Sequence, residues 1–461
     1  MRDARGLPLT TVDRTAADRY DTAVLEFASF TDNPVATLDK ALEADPTFAE
    51  ALAAKAALNC TTSEQPLEAE TAALVAAIED LGAKAGETAR RHAAAAKTWI
   101  GGDWHRGNAL WGALAMDHPQ DLVAVQTAHL TDFLLGQNQM LRDRIAAVLP
   151  AWSEDLPGYS YLYGMRAFGE EESGHYAQAE ESGLRALEMQ PRDPWAVHAV
   201  THVMEMQGRA GEGIAHLRGR EADWAPDSFL AYHVWWHLAL FHLDRGETDE
   251  ALKLYDNGVH PQHTEIAMEM LDAAALLWRL GLMGVDVGAR WQDPLTVYED
   301  QAEDGYYAFN DLHAMMTFLG AERFDLADRL IERLQARAGE GGSNGMMTRD
   351  AGLPAVLGLR AFARGDYETA VEQLELARPA AHRFGGSHAQ RDVIAWTATE
   401  AALRGKLTSR ARGLLAERLT AKPQSPTILR QQARLCRMTD RAADAERAEA
   451  EAQRFADTAA L

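Results

Sequence analysis

The chain has 461 residues and a formal net charge of −24, with 69 acidic residues against 45 lysines and arginines. This balance argues against nucleic acid and anionic membranes as partners, because both bind a basic surface. Hydrophobic residues make up 47% of the chain, which is enough for a large buried core.

The cysteine content and the lack of long apolar runs predict a cellular location. Cys60 and Cys436 lie far apart in the sequence, which argues against a disulfide framework and favours a reducing compartment. The first residues show no secretory leader pattern, and no run of about 20 apolar residues offers a membrane span. We therefore expect a cytoplasmic protein.

Residue usage favours an all-α fold, since Ala, Leu, Glu and Arg dominate and alternating β-branched runs are absent. Residues 1–17 are predicted to form a loose N-terminal tail, and residues 18–461 a single α-helical repeat domain. An early helix is predicted to begin at Asn33-Pro34 and to end at Asp45-Pro46. The glycine-rich segment GEGGSNG, residues 339–345, is predicted to be a flexible loop that could act as a lid.

A repeated glycine motif sets the period of the helices. Gly102-Asp103-Trp104, Gly174-His175-Tyr176 and Gly246-Glu247-Thr248 follow one another at intervals of 72 residues. That interval equals two units of about 36 residues, close to the length of a tetratricopeptide repeat. The glycine suits the turn between two helices, where a left-handed backbone is favourable. The chain is therefore predicted to form tetratricopeptide-like helical hairpins in a right-handed solenoid with a concave channel.

Histidines cluster in the middle of the chain, where eight of the sixteen lie between His198 and His263. The first group is His198, His202 and Glu205, which their spacing places on one helix face. The two histidines could chelate a divalent metal, with Glu205 as a further ligand or base. Without a metal, Glu205 could orient His202 for acid–base chemistry. In a third interpretation these histidines form hydrogen bonds to the backbone in a polar groove.

Three further groups carry polar side chains at helical spacing. They are His233, Trp236 and His237; Asn310, Asp311 and His313; and His388, Gln390, Arg391 and Asp392. In the last group, Ser387 is predicted to cap a helix. Arg391 then falls in the first turn, where the helix dipole disfavours a cation, so an acidic or anionic partner is expected. Each group also fits an ordinary role in packing or capping.

Five stretches of the chain, in order, resemble the tetratricopeptide repeat protein 38 family. They are SFTDNPVATLDKALEADP, PWAVHAVTHVMEM, YHVWWHLALFHLDRGE, NDLHAMMTFLGA and GGSHAQRDV. The resemblance extends over roughly residues 20–440 and includes the histidines. It implies an all-α repeat fold in a soluble protein and singles out the same four polar groups, but it implies no particular activity.

We predict that the four groups converge in the concave channel and act on a small molecule by acid–base chemistry, as a hydrolase or lyase. The predicted catalytic residues are His198, His202, Glu205, His237, His313, His388 and Asp392. The predicted substrate-binding residues are His233, Trp236, Asn310, Asp311, Gln390 and Arg391. No cofactor is predicted, and a metal-dependent variant would use His198 and His202. The alternative is a non-catalytic scaffold that binds a protein or peptide, and formation of a homodimer is left open.

Overall fold

The computed structural model describes residues 1–62, 64–260 and 267–457. Within these ranges the regular elements are helices, accompanied by two isolated β-bridges. The described residues divide into two compact units, one comprising Met1–Val200 and Pro226–Leu230, the other Thr201–Ala225 and Ala231–Leu461. We call them unit 1 and unit 2. The sequence-based prediction is one repeat domain over 18–461, whereas packing groups the helices into these two units.

Unit 1 consists of antiparallel helices followed by the first half of a helix that continues into unit 2. Its helices are α1 (Arg14–Ser29), α2 (Pro34–Ala44), α3 (Ala49–Thr61), α4 (Leu67–Leu81), α5 (Glu87–Ile100), α6 (Trp104–Asp117), α7 (Leu122–Leu134), α8 (Asn138–Val148), α9 (Tyr159–Glu172), α10 (Tyr176–Met189) and α11 (Pro194–Met206). The separate segment 226–230 belongs to this unit because the Phe229 N–H donates to the Phe30 carbonyl at 2.7 Å.

Unit 2 takes the second half of α11 and all the later helices. They are α12 (Ala210–Gly219), α13 (Glu221–Trp224), α14 (Ala231–Arg245), α15 (Thr248–Leu254), α16 (Ala267–Leu282), α17 (Gln292–Tyr298), α18 (Ala308–Gly320), α19 (Phe324–Ala338), α20 (Gly342–Met347), α21 (Leu353–Ala363), α22 (Tyr367–Ala377), α23 (His388–Arg404), α24 (Thr408–Ala421), α25 (Pro426–Met438) and α26 (Ala442–Ala456). Short 3-10 helices span Gly82–Ala85, Leu149–Ala151, Gly288–Trp291 and Arg378–Phe384, and π-helical turns span Tyr255–Val259 and Thr348–Gly352. None of the described helices is both long and apolar enough to cross a membrane.

The prediction of an all-α fold built from helical hairpins is confirmed. Helices α5, α7, α9 and α11 begin about 36 residues apart, close to the tetratricopeptide period. Gly102, Gly174 and Gly246 have φ angles of 89°, 79° and 85°, which places each in the left-handed region at a helix–helix turn. Between α10 and α11, a Cβ at Gly183 would lie 2.6 Å from Val200 Cγ2, so glycine lets these two helices pack closely.

Helix starts follow from local capping chemistry. Helix α2 begins at Pro34 with the Asn33 side chain accepting from the Ala36 N–H, and it ends at Ala44, as predicted. Helix α23 begins after Ser387, whose hydroxyl accepts from the Gln390 N–H while the Gln390 side chain accepts from the Ser387 N–H. This capping box fixes the direction of the first turn of α23, which carries His388 and Arg391.

Two segments differ from the tail and the loop predicted for them. Helix α1 begins at Arg14, and before it Asp3 and Arg5 are buried and form an ion pair at 3.0 Å, so the start of the chain is tied down. In 339–345, Ser343, Asn344 and Gly345 are buried and belong to α20. Glycine is required there because a Cβ on Gly345 would lie 2.3 Å from the Glu340 carbonyl oxygen. The glycines of this segment therefore permit close packing of the backbone.

Candidate functional site

Three imidazoles of unit 2 lie together in its interior. His202 comes from α11, and His233 and His237 come from successive turns of α14. The His202 and His237 ring centroids are 4.4 Å apart, and those of His233 and His237 are 4.7 Å apart. The Nε2 atoms of His233 and His237 lie 3.2 Å from each other. We call His202, His233 and His237 the imidazole cluster; His202 and His237 are fully buried, and His233 is 8% exposed.

Each of the two α14 histidines forms a hydrogen bond from Nδ1 to a carboxylate. His237 Nδ1 lies 2.8 Å from Glu205 Oε2, and His233 Nδ1 lies 2.6 Å from Asp272 Oδ2 on α16. Carboxylates accept hydrogen bonds when ionised, so each Nδ1 carries a proton that it donates. Burial, followed in size by the effect of neighbouring His202, lowers the pKa of His237 to about 3. His237 is therefore a neutral ring whose Nε2 lone pair points into the cluster.

Lys422 forms an ion pair with Glu205. Lys422 Nζ lies 2.9 Å from Glu205 Oε1, with both side chains largely buried. Burial alone would raise the pKa of Glu205, but Lys422 and the hydrogen bond from His237 hold it well below its ordinary value. Glu205 lies in the last turn of α11, where the helix dipole disfavours an anion, and Lys422 follows the end of α24, where the dipole favours a cation.

Trp236 and Arg279 form the apolar and cationic support of the cluster. Trp236 is fully buried, and its ring stacks on His233 with centroids 5.3 Å apart. The Arg279 guanidinium carbon lies 5.3 Å from the Trp236 ring centroid, and its Nη2 donates to the Ala389 carbonyl at 2.8 Å. Trp236, predicted to contact a ligand, therefore orients His233 through stacking.

A small cavity of about 40 Å³ lies beside Glu205. Its charged lining residues are Glu205, Asp244, Arg279, Asp392, Arg418 and Lys422. This volume is enough for one or two water molecules. The cavity can therefore hold water against the carboxylate that binds His237.

A larger cleft of about 360 Å³ opens beside the first turns of α23. We call it the α23 cleft. His388, Arg391 and Asp392 line it, together with Arg418 and Lys422, which also line the smaller cavity. Asp392 and Arg418 pair at 3.0 Å. Burial acts to raise the pKa of Asp392, but Arg418 and then Lys422 outweigh it and hold that pKa below its ordinary value.

The structure does not bring all the predicted residues to one place. Gln390 is buried beside Asp272, with its Nε2 3.5 Å from Asp272 Oδ1. His313 donates from Nδ1 to the Phe309 carbonyl at 2.8 Å, and burial lowers its pKa to about 4. Asp272 and Arg279 are among its charged neighbours, so His313 approaches the same region from α18.

Asp311 and His313 lie on different faces of α18. Burial raises the pKa of Asp311 to about 8, and its charged neighbours are Arg337, Asp304 and Arg333. Residues two apart on a helix point in nearly opposite directions, which explains the separation. Asp311 also lies within the first turn of α18, which begins at Ala308, so it is not the capping residue.

His198 precedes His202 by one turn on α11 and belongs to unit 1, where its ring centroid lies 5.1 Å from that of Phe168. Glu205, which we expected to orient His202, accepts a hydrogen bond from His237 Nδ1. His263, which ends the histidine-rich stretch, lies outside the described residues.

Four charged residues of this region are not among those predicted from the sequence: Asp272, Arg279, Arg418 and Lys422. One signal for Asp272 and Arg279 was present, because both lie seven residues apart in the otherwise apolar run LDAAALLWRLGL. Charged residues on the buried face of such a helix are rarely found without partners. Nothing in the local sequence marks Lys422, which meets Glu205 across more than two hundred residues of chain.

Comparison with known proteins adds little about function. No family model matches the chain. It is similar to the crystal structure of yeast Tom70, with 13% identity, coverage of 96% of this chain and 84% of that one, and a TM-score of 0.34. It is also similar to the APC/C hetero-tetramer Cut9–Hcn1 (13% identity, 95% and 92% coverage, TM-score 0.29) and to Naa15/Naa10 bound to HypK-THB (12%, 95% and 63%, 0.22). At such identities and TM-scores, these likenesses carry no argument about the site or its ligands.

Proposed function

We propose that unit 2 binds a small anionic molecule in the α23 cleft and acts on it by acid–base chemistry. The observation that carries the proposal is a local excess of cations in an acidic chain. Arg378, Arg391, Arg418 and Lys422 line the cleft against two acids, Asp392 and Glu417. The volume of about 360 Å³ lies at the small end of the range for metabolite pockets.

Arg391 is the cation that we expect to meet the ligand. The Arg391 guanidinium donates to the carbonyls of Gly385 and Gly386, which hold it at the N-terminal end of α23. There the helix dipole adds to the positive potential, so a carboxylate or phosphate is the favoured ligand group.

His388 and His382 are the two imidazoles that line this cleft, and His388 lies one helical turn before Asp392. A neutral or protonated imidazole at the wall of an anion site can exchange a proton with a bound molecule. We assign His388 the role of general acid or base in a hydrolase- or lyase-type reaction. Arg391 binds the anionic group, and the Asp392–Arg418 pair keeps the wall of the cleft in place.

Calorimetric titration of purified protein with small carboxylates tests the binding step. The probes are succinate and citrate, each compared with its uncharged amide. We expect saturable binding of at least one carboxylate, no binding of its amide, and a loss of about tenfold or more in affinity for Arg391→Ala. Arg364→Ala, an exposed arginine of unit 2 that does not line the cleft, is the matched control. Equal affinity in the Arg391→Ala and control proteins would reject the site.

The catalytic step needs a separate measurement. Screening of carboxylate esters, amides and hydroxy acids for turnover should identify a substrate whose kcat falls in His388→Gln while its KM changes little. The alternative function is a repeat scaffold that binds a protein or peptide. Binding of a defined partner at one-to-one stoichiometry, unaffected by Arg391→Ala and without turnover of any tested metabolite, would support that alternative.

We further propose that the chain is a bacterial-type member of the tetratricopeptide repeat protein 38 family and works in the cytoplasm. The ordered histidine-containing motifs support the family assignment. The burial of both free cysteines, Cys60 and Cys436, is consistent with a reducing compartment.

A further inference from the structure

The imidazole cluster has a geometry that the α23 cleft does not require. Its three side chains can each offer one ring nitrogen, and these atoms lie within 4.8 Å of one another. The two Nε2 atoms of His233 and His237 are 3.2 Å apart. A tetrahedral metal ion with metal–nitrogen bonds of about 2.0–2.1 Å holds adjacent ligand nitrogens about 3.3 Å apart. The observed separation is therefore the one that a shared ion would need.

The carboxylates behind the rings point to the same conclusion. His237 donates from Nδ1 to Glu205, and His233 donates from Nδ1 to Asp272. Because each Nδ1 faces a carboxylate oxygen, the Nε2 atoms are the ring nitrogens that remain to face each other across 3.2 Å, where both could bind one cation. Histidines that bind metals are held in this way by carboxylates, which fix the tautomer and the ring orientation.

We propose that His202, His233 and His237 bind a divalent first-row transition metal ion, with Glu205 and Asp272 as the groups that orient two of the ligands. An all-imidazole set suits zinc and its neighbours better than magnesium or calcium, which prefer oxygen ligands. Three protein ligands leave a coordination position for water or a substrate atom. The sequence-based metal variant used His198 and His202 of one helix. The site proposed here differs because it includes both histidines of α14.

Carboxylates lie next to the imidazoles on two sides. Glu205 and Asp272 contact His237 and His233 directly, and Lys422 and Arg279 are the neighbouring cations. Lys422 acts on Glu205 Oε1, which leaves Oε2 for the imidazole. The cavity of about 40 Å³ beside Glu205 is large enough for water to reach this side of the centre.

Cobalt titration of tag-free, chelator-treated protein tests the proposal. We expect one Co²⁺ per chain, visible d–d absorption bands of a four-coordinate nitrogen site, and displacement of the cobalt by Zn²⁺. His233→Gln and His237→Gln should each weaken binding by about 100-fold or more, and Asp272→Asn by about tenfold or more. His175→Gln, an exposed histidine of unit 1, is the matched control and should bind as the unaltered protein does.

Three outcomes would overturn the site: no stoichiometric Co²⁺ or Zn²⁺ in the unaltered protein, the same affinity in His233→Gln as in the control, or cobalt spectra of purely octahedral water and oxygen ligands. Circular dichroism of each variant separates loss of ligands from loss of fold. If a histidine variant fails to fold, the Asp272→Asn protein and the cobalt spectrum of the unaltered protein still decide. The metal centre and the anion site rest on different residues, so Arg391→Ala should keep its cobalt affinity whatever the calorimetry shows.

Discussion

Buried carboxyl groups in this protein differ in charge because their immediate partners differ. Glu205 meets Lys422 at 2.9 Å and His237 at 2.8 Å, and its pKa lies well below the ordinary value. Asp193, fully buried in unit 1, accepts at Oδ1 from the Ala196 N–H, and Oδ2 has no hydrogen-bond partner among the described residues. Burial raises the pKa of Asp193 to about 7. A buried acid thus stays ionised where a cation is supplied and takes up a proton where only backbone donors are present.

Asp193→Asn should change how stability depends on pH. The native state binds the Asp193 proton up to about pH 7, whereas the unfolded chain releases it near its ordinary pKa of 3.8. The stability contributed by this group is therefore fully present below pH 3.8 and falls by up to roughly 1.4 kcal/mol per pH unit as pH rises towards 7. The substituted protein lacks this loss because an amide does not ionise, and its oxygen can still accept from Ala196. Urea denaturation from pH 5 to pH 8 measures the difference between the two proteins.

That difference should grow in favour of Asp193→Asn up to about pH 7 and then level off. The control is Asp103→Asn, an exposed cap of α6 that accepts from the Arg106 N–H at 3.0 Å in the same unit. A constant difference across this pH range for Asp193→Asn would show that the carboxyl group is ionised in the native state despite its burial.

At the residue scale, helix spacing predicted which side chains share a face, but not what they meet. Glu205 and His202 were correctly placed on one helix, yet the 2.8 Å hydrogen bond of Glu205 goes to His237 on α14. Lys422, which is distant in sequence, forms an ion pair with the other oxygen of that carboxylate. Such partners are determined by the packing of helices that are distant in sequence. A single sequence does not indicate which residues of those helices will meet.

At the scale of elements, helix α12 shows how a single glycine can set the approach of two helices. A Cβ on Gly213 would lie 2.2 Å from Cζ of the buried Phe241 on α14. Gly219, at the other end of the same helix, has no atom within 4 Å of that position. The two glycines lie in the same helix, but a side chain would clash at Gly213 and would be free of contacts at Gly219.

Gly213→Ala should destabilise unit 2 by about 1–3 kcal/mol, because the aromatic ring must move out of a filled core. Gly219→Ala should leave stability unchanged or raise it by up to about 1 kcal/mol, because alanine loses less backbone entropy on folding. Urea denaturation of both variants measures the effect. Equal values for the two would mean that α12 can shift away from Phe241 at no cost.

The hairpin architecture could be predicted from sequence because its determinants are local. The left-handed glycines at Gly102, Gly174 and Gly246 and the cap at Asn33 act within a few residues, and each is found where the sequence placed it. The segment 339–345 has the same composition as a loop, but its outcome depends on burial of Ser343 and Asn344 against other helices. Composition alone therefore could not separate a mobile loop from a closely packed turn.

At the scale of the whole molecule, the net charge hides the local pattern that favours a ligand. The chain carries −24 overall, while the α23 cleft gathers four cationic side chains from a 3-10 helix, α23, α24 and the residue after α24. The average charge argues against polyanionic macromolecules as partners. The net charge gives no information on a small anionic ligand, because only a few residues line a cleft of this size.

The same net charge predicts how stability responds to salt. At neutral pH the excess negative charge repels itself in the folded state, whereas exposed ion pairs such as Arg290–Asp256 and Arg323–Glu299 each contribute little. Salt screens both, so the repulsion should dominate and the Tm should rise from very low ionic strength to about 0.15 M, where the Debye length is about 8 Å. We expect an increase of roughly 2–4 °C, the shift that about 1 kcal/mol produces in units of this size. Repeating the NaCl series near pH 5.1, where the net charge vanishes, should abolish the increase, and a Tm that falls with salt at neutral pH would show that the ion pairs outweigh the repulsion.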